Sequence, residues 1–93
     1  MELDPASVPA IRTHYRFQWE PAQESYVLLY PEGMIKLNGS AGEILSCCDG
    51  DKTIDDIIIE LQNKFPEAES LPSDTHEFLK IAHDKRWIEF NQQ

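Results

Sequence analysis

From His14 to Glu20 the chain alternates. Tyr15, Phe17 and Trp19 fall on one side and His14, Arg16, Gln18 and Glu20 on the other, the period of two of a half-buried strand. Pro21 closes that stretch, and the polar loop PAQES leads into YVLLY (26–30), whose β-forming residues are apolar on both faces and predict a central strand. Pro31-Glu32-Gly33 supplies a fixed φ and then a permissive one, a turn into MIKLN (34–38), where Ile35 and Leu37 face one way and Met34 and Lys36 the other. These three segments predict an antiparallel meander.

The apolar period then lengthens to that of a helix. Ser40-Ala41-Gly42-Glu43 has the S-x-x-E spacing of a capping box, and Ala41, Ile44, Leu45 and Cys48 recur on one stripe, with Gly50 expected as the stop. Thr53, followed by Asp55 and Asp56, predicts the start of a second helix, with Ile54, Ile57, Ile58, Leu61 and Phe65 as its buried stripe and Pro66 as its end. The acidic linker PEAESLP (66–72) suits either a turn or a hinge. Ser73 is expected to cap a third helix reaching about Arg86, in which Phe78, Leu79 and Ala82 continue a stripe from Leu71 and Thr75. WIEF (87–90) alternates again and suits a short C-terminal strand. Residues 1–13, with Pro5 and Pro9 and no regular spacing, are expected to be an extended N-terminal arm before a single domain over 14–90. The order is β-β-β-α-α-α, an α+β fold of winged helix-turn-helix type: a three-stranded antiparallel sheet followed by three helices.

Composition narrows the functional classes. A length of 93 residues leaves room for one hydrophobic core and not two. No apolar run approaches the roughly 20 residues of a membrane span, and MELDPASVPA lacks the parts of a signal peptide, so a cytoplasmic protein with no membrane partner is expected. A net charge of -9 offers no broad basic surface for phosphates and argues against nucleic acid. The third helix, the recognition helix if this fold read DNA, sets Asp74, Glu77 and Asp84 against Lys80, Lys85 and Arg86 and so carries no net charge of its own.

The side chains that could do chemistry find bland explanations. Gly39 and Gly42 fit no phosphate-binding glycine pattern and have no lysine beside them. Cys47 and Cys48 are adjacent, which opposes an unstrained disulfide between them and turns their side chains roughly 100° apart on a helix. Cys48 belongs to the buried stripe, and a reducing compartment fits both thiols. His76 and His83 lack a third ligand nearby and are read as solvated surface residues, so no metal site is expected. No serine, cysteine or lysine stands in a nucleophile context, so no catalytic residue and no enzyme activity is expected. What remains is a free strand edge beside a helix, where an extended peptide could add as another strand.

RFQWEPAQESYVLLYPEGMIKLNGSAGEILSCCDG, followed by a TIDDII helix and a C-terminal helix ending RWIEF, closely resembles the pyrroloquinoline quinone (PQQ) biosynthesis protein D family (PqqD) over about residues 10–90. The resemblance implies a peptide chaperone without a cofactor of its own. Such a protein binds the ribosomal precursor peptide (PqqA-type) and presents it to a radical S-adenosylmethionine (SAM) enzyme (PqqE-type), which joins a glutamate and a tyrosine of the peptide. It also implies a recognition element for ribosomally synthesised and post-translationally modified peptides (RiPPs), which grips its guest between the third strand and the third helix. Carried onto this chain, the guest would bond to the backbone of Met34 to Asn38. It would touch the side chains of Met34, Ile35, Lys36 and Leu37 and, across the groove, of Thr75, Phe78, Leu79 and Ala82, with Lys85 and Arg86 placed to pair with its acidic residues. The rival readings are a DNA-binding winged-helix protein and a carrier of the finished quinone. An exposed third strand and a hinge at 66–72 also make a homodimer an expectation, including one formed by exchange of elements.

Overall fold

The computed structural model describes residues 3–91. In chain order its elements are β1 (Val8–Ile11), β2 (Arg16–Glu20), β3 (Ser25–Tyr30), β4 (Gly33–Lys36), α1 (Gly39–Ser46), α2 (Ile54–Lys64), α3 (Leu71–Asp84) and β5 (Ile88–Asn91). The expected meander is present as an antiparallel sheet in the order β2-β3-β4, with Arg16 opposite Leu29 and Leu28 opposite Ile35. The apolar run of β3 has the explanation the sequence suggested, because it is the central strand and Val27 and Leu28 are both fully buried although they point to opposite faces.

One core joins the sheet to the helices. Leu28, Leu37, Ala41, Ile44, Leu45, Ile54, Ile57, Leu61, Leu71, Leu79 and Ile88 form a single buried cluster, which draws on every helix and on the terminal strand. Each fully buried Leu or Ile contributes about 1.5–3 kcal/mol. The stripes predicted for the first two helices are buried as expected, except that Phe65 at the end of the second is 39% exposed. It is the C-cap of α2, with φ -129° and ψ 68°, so it has left the helical track that would have carried it inward.

Two helix starts differ from expectation. α1 begins at Gly39 with Asn38 as its N-cap: Asn38 Oδ1 accepts from Ala41 N–H at 2.7 Å and from Ser40 Oγ at 3.1 Å. Asparagine caps as well as serine, and Glu43 is drawn instead to Lys64 at 2.7 Å. α3 begins at Leu71 rather than after Ser73. Pro72 sits in the first turn, where its missing N–H is no loss, and the Ser73 hydroxyl donates to the Ser70 carbonyl. α2 starts as predicted, with Thr53 and Asp56 forming a reciprocal capping box.

The stops also differ. α1 ends at Ser46 with Cys47 as its cap in ordinary helical conformation, and Gly50, at φ +84°, serves the following link instead. α3 ends at Asp84, two residues early. Arg86 N–H bonds to the His83 carbonyl and Trp87 N–H to the Ala82 carbonyl, a Schellman closure that holds Arg86 at φ +64°.

The larger surprise is the N-terminal segment. Val8–Ile11, expected within an arm, form β1 and pair antiparallel with β5, Val8 opposite Asn91 and Ile11 opposite Ile88. Its other side is held as well: Ile11 N–H donates to the Cys48 carbonyl and Gly50 N–H to the Pro9 carbonyl. The carbonyls of Pro5 and Ser7 accept from Asp55 and Ile54 N–H, two of the free donors in the first turn of α2. Pro9 disguised the strand, since proline is confined to edges and bulges of sheets.

Candidate functional site

β4 lies at an edge of its sheet, and its register decides which backbone groups are available. Leu37 N–H donates to the Tyr26 carbonyl at 3.0 Å, which makes that opposed pair a hydrogen-bonded one. Antiparallel pairs alternate between bonded and non-bonded, so Ile35 opposite Leu28 also turns its N–H and C=O inward. Met34 and Lys36, opposite Leu29 and Val27, therefore turn theirs outward to the free edge. The Asn38 carbonyl is already engaged by Gly42 N–H at 2.9 Å. The run expected to pair with a guest thus holds two fully outward residues, spaced two apart as strand addition requires.

The side chains divide the same way. Met34 and Lys36 are exposed on the outer face, where Gln23 Nε2 approaches Met34 Sδ at 3.7 Å, while Leu37 is buried and Ile35 is half-buried against the core. Beyond Lys36 the chain passes into an apolar cleft of about 410 Å³ lined by Gly39, Ile44, Leu61, Phe65, Leu71 and Thr75, with Ser40, Glu43, Ala68 and Asp74 completing it. Of the α3 residues expected across the groove, Thr75 lines this cleft, Phe78 is half-buried against the core, and Leu79 and Ala82 are fully enclosed and present no surface. Lys85 and Arg86 are exposed at the far end of α3, where Lys85 Nζ stands 5.7 Å from the centre of the Trp87 ring. They are thus separated along the helix from the cleft at its start. Sequence spacing missed the cleft because it is made by three helix ends that meet only in the fold.

The cysteines are poor nucleophiles. Burial, then the hydrogen bond from Cys47 Sγ to Glu60 Oε2 at 3.0 Å, pushes the Cys47 thiol up to about 11, and burial beside Cys47 and Asp49 pushes Cys48 up to about 12. Both are protonated at neutral pH. Below pH 9 the folded and unfolded chains alike keep these protons. From pH 9 upward the unfolded chain loses them first, so the folded chain binds more protons and stability falls towards pH 12. Guanidinium midpoints at pH 8 and pH 10 check this: the native chain is expected to lose more than the Cys47→Ala/Cys48→Ala variant, and equal losses would show that the thiols carry no such linkage.

His83 is not the solvated residue the sequence suggested. It is half-buried with its ring 5.1 Å from that of Phe90, and its buried Nδ1 has no partner among the described residues. His76 is also half-buried. Among the described residues no group of three or more His, Cys, Asp or Glu is arranged to hold a metal ion, and no helix is long and apolar enough to cross a membrane.

Comparison with known proteins bears on this site. The family model described as Coenzyme PQQ synthesis protein D (PqqD) matches residues 25–88, which include β3, β4 and all three helices. The chain is similar to the PqqA binding protein of Azotobacter vinelandii, at 50% identity over 84 residues covering 90% of this chain and 91% of that one. It is similar also to the PqqA binding protein of Pseudomonas aeruginosa strain PAO1, at 52% identity over 83 residues covering 89% and 90%. Its fold resembles the solution NMR structure of the PqqD truncation of Methylobacterium extorquens PqqCD, described as a functional, stand-alone RiPP recognition element, with TM-score 0.75, 24% identity and coverage of 92% and 93%. At that identity the likeness speaks to the fold.

Proposed function

The chain belongs to the coenzyme PQQ synthesis protein D family, and from that premise we propose that it binds the ribosomal precursor peptide of the cofactor as an added strand on β4. It then presents the peptide to a radical SAM enzyme. The observation that carries this reading is the free edge at Met34 and Lys36, which leads directly into the apolar cleft at 39–75. Backbone pairing supplies affinity irrespective of sequence, and the cleft accepts an apolar side chain and so sets the register. The modifying enzyme then meets its substrate at raised local concentration, so the mechanism is positional and needs no group on this chain to react. The name shared by its relatives, PqqA binding protein, supports the identity of the guest. Two free thiols suit a cytoplasmic setting. The open edge offers a second copy of the chain the same groups, so a homodimer formed there excludes the peptide.

Amide exchange of the protein with a synthetic precursor peptide tests the site. The outward amides of Met34 and Lys36 are expected to become protected on binding. Those of Phe17 and Trp19, which by the same parity face outward on the opposite edge of the sheet, are expected to stay open. Lys36→Pro removes one outward donor and no bond to β3, a change that edge strands tolerate, and is expected to weaken the peptide about tenfold, or about 1.4 kcal/mol. Protection at Phe17 and Trp19 instead would move the guest to β2.

A further inference from the structure

A second surface lies across the sheet from β4. A cleft of about 590 Å³ is lined by Arg12, His14, Tyr15, Arg16, Tyr30 and Phe17, together with Ile11, Thr13, Leu29 and Pro31. In a chain with 17 acidic and 8 basic residues this lining holds two arginines and a histidine and no carboxylate. The Tyr15 and Tyr30 rings lie 5.7 Å apart beside the two arginines. The basic character continues onto the end of α3, because Arg12 N–H donates to the Trp87 carbonyl at 2.9 Å and so brings Lys85 and Arg86 to the same end of the molecule. None of these four cations forms an ion pair among the described residues, whereas Lys52 and Lys64 are both held by carboxylates.

Arg86 occupies the left-handed position of the Schellman closure, at φ +64°, where glycine is the favoured residue and a side chain costs strain. Its exposed side chain adds a further cation at this end of the molecule.

We infer that this basic, tyrosine-bearing cleft is the dock for an acidic surface segment of the modifying enzyme. The inference rests on the proposed peptide-presenting function. A presenting protein needs one surface for the peptide and another for the enzyme; Arg16 stands on β2, two strand spacings or about 10 Å from the β4 edge, and Arg12 lies in the link from β1 to β2. Planar guanidinium groups pair two-pronged with carboxylates, and the tyrosines receive the apolar flank of the segment. On a protein of net charge -9, a local positive field orients an acidic partner onto this end alone.

Calorimetric titration of folded Arg12→Glu/Arg16→Glu protein against the radical SAM enzyme, and separately against the precursor peptide, tests the assignment. Lys52→Glu/Lys64→Glu is the control matched in net charge. The first variant is expected to lose about tenfold or more in affinity for the enzyme while its peptide affinity stays within about twofold, and the control to keep its enzyme affinity. Arg86→Gly should raise the guanidinium midpoint and still weaken the enzyme, a combination that a merely structural residue would not produce; if the double variant does not fold, this one decides. Unchanged or absent enzyme binding overturns the proposal, and so does an equal loss in both arms, which would give the cleft to the peptide. Binding of duplex DNA by the native chain, lost in the variant, would overturn it in favour of nucleic acid. A native chain that binds the enzyme but never the peptide instead sinks the proposed function itself.

Discussion

Val8→Asp is expected to cost about 4 kcal/mol or more of folding stability, the range reached when an unpaired charge is forced into a core. Val8 is fully buried although it lies within the first ten residues, and β1 is held on one side by β5 and on the other by the link between α1 and α2. A carboxylate at that position would have to unseat the strand. The bonds from Ile54 and Asp55 to the carbonyls of Ser7 and Pro5 would go with it, leaving the first turn of α2 open. Against the usual margin of about 5–15 kcal/mol, such a loss leaves little folded protein. Ala6→Asp, two residues earlier and exposed, should stay within about 0.5 kcal/mol of the native chain. Guanidinium unfolding followed by circular dichroism compares the three; a Val8→Asp midpoint equal to that of Ala6→Asp would mean the segment is not docked.

The second large effect is expected at the contact between α1 and β3. A Cβ built on Gly42 would lie 2.7 Å from Tyr26 Cδ2 and 3.1 Å from Tyr26 Cβ. The tyrosine cannot readily yield, because its ring is stacked on Phe17 at 4.7 Å and meets Trp19 edge-on at 5.1 Å. Gly42→Ala must therefore push α1 off the sheet, at a cost of about 1–3 kcal/mol. Gly39→Ala has nothing within 4 Å to meet and is expected to be neutral or to stabilise by up to about 1 kcal/mol through helix propensity. Opposite signs at two glycines of one helix would identify close packing, rather than chain flexibility, as the reason for Gly42. Since Asn38 and Gly39 lead straight out of β4, a displaced α1 should weaken the peptide as well.

How much of this was legible depended on whether the determining contacts were local. The alternation of β2, the two-faced apolar run of β3 and the stripes of α1 and α2 state their own burial, because period and face are properties of neighbouring residues. WIEF likewise announced a strand, found as Ile88–Asn91. The ends of elements were less legible: Asn38 and Ser40 are both competent caps, and only the path of the chain from β4 chose between them. Phe78, Leu79 and Ala82 carry the period of a buried stripe, but period alone cannot say which of them keeps some surface.

Other features had no local signal. β1 is a strand because β5 and the link at Cys48–Gly50 bring partners to it from far along the chain, and its proline, Pro9, argued the other way. Both clefts draw on separate segments: the basic one joins residues 11–17 to 29–31, and the bond from Arg12 to Trp87 brings the end of α3 to the same end of the molecule. By itself the sequence determined the family, the sheet-then-helix order and a free strand as the candidate guest edge. Only the tertiary structure decided that Met34 and Lys36 are the residues turned outward, since that parity follows from the bond of Leu37, just after β4, to Tyr26 and from Leu28 lying opposite Ile35, contacts between strands that no single stretch of sequence contains.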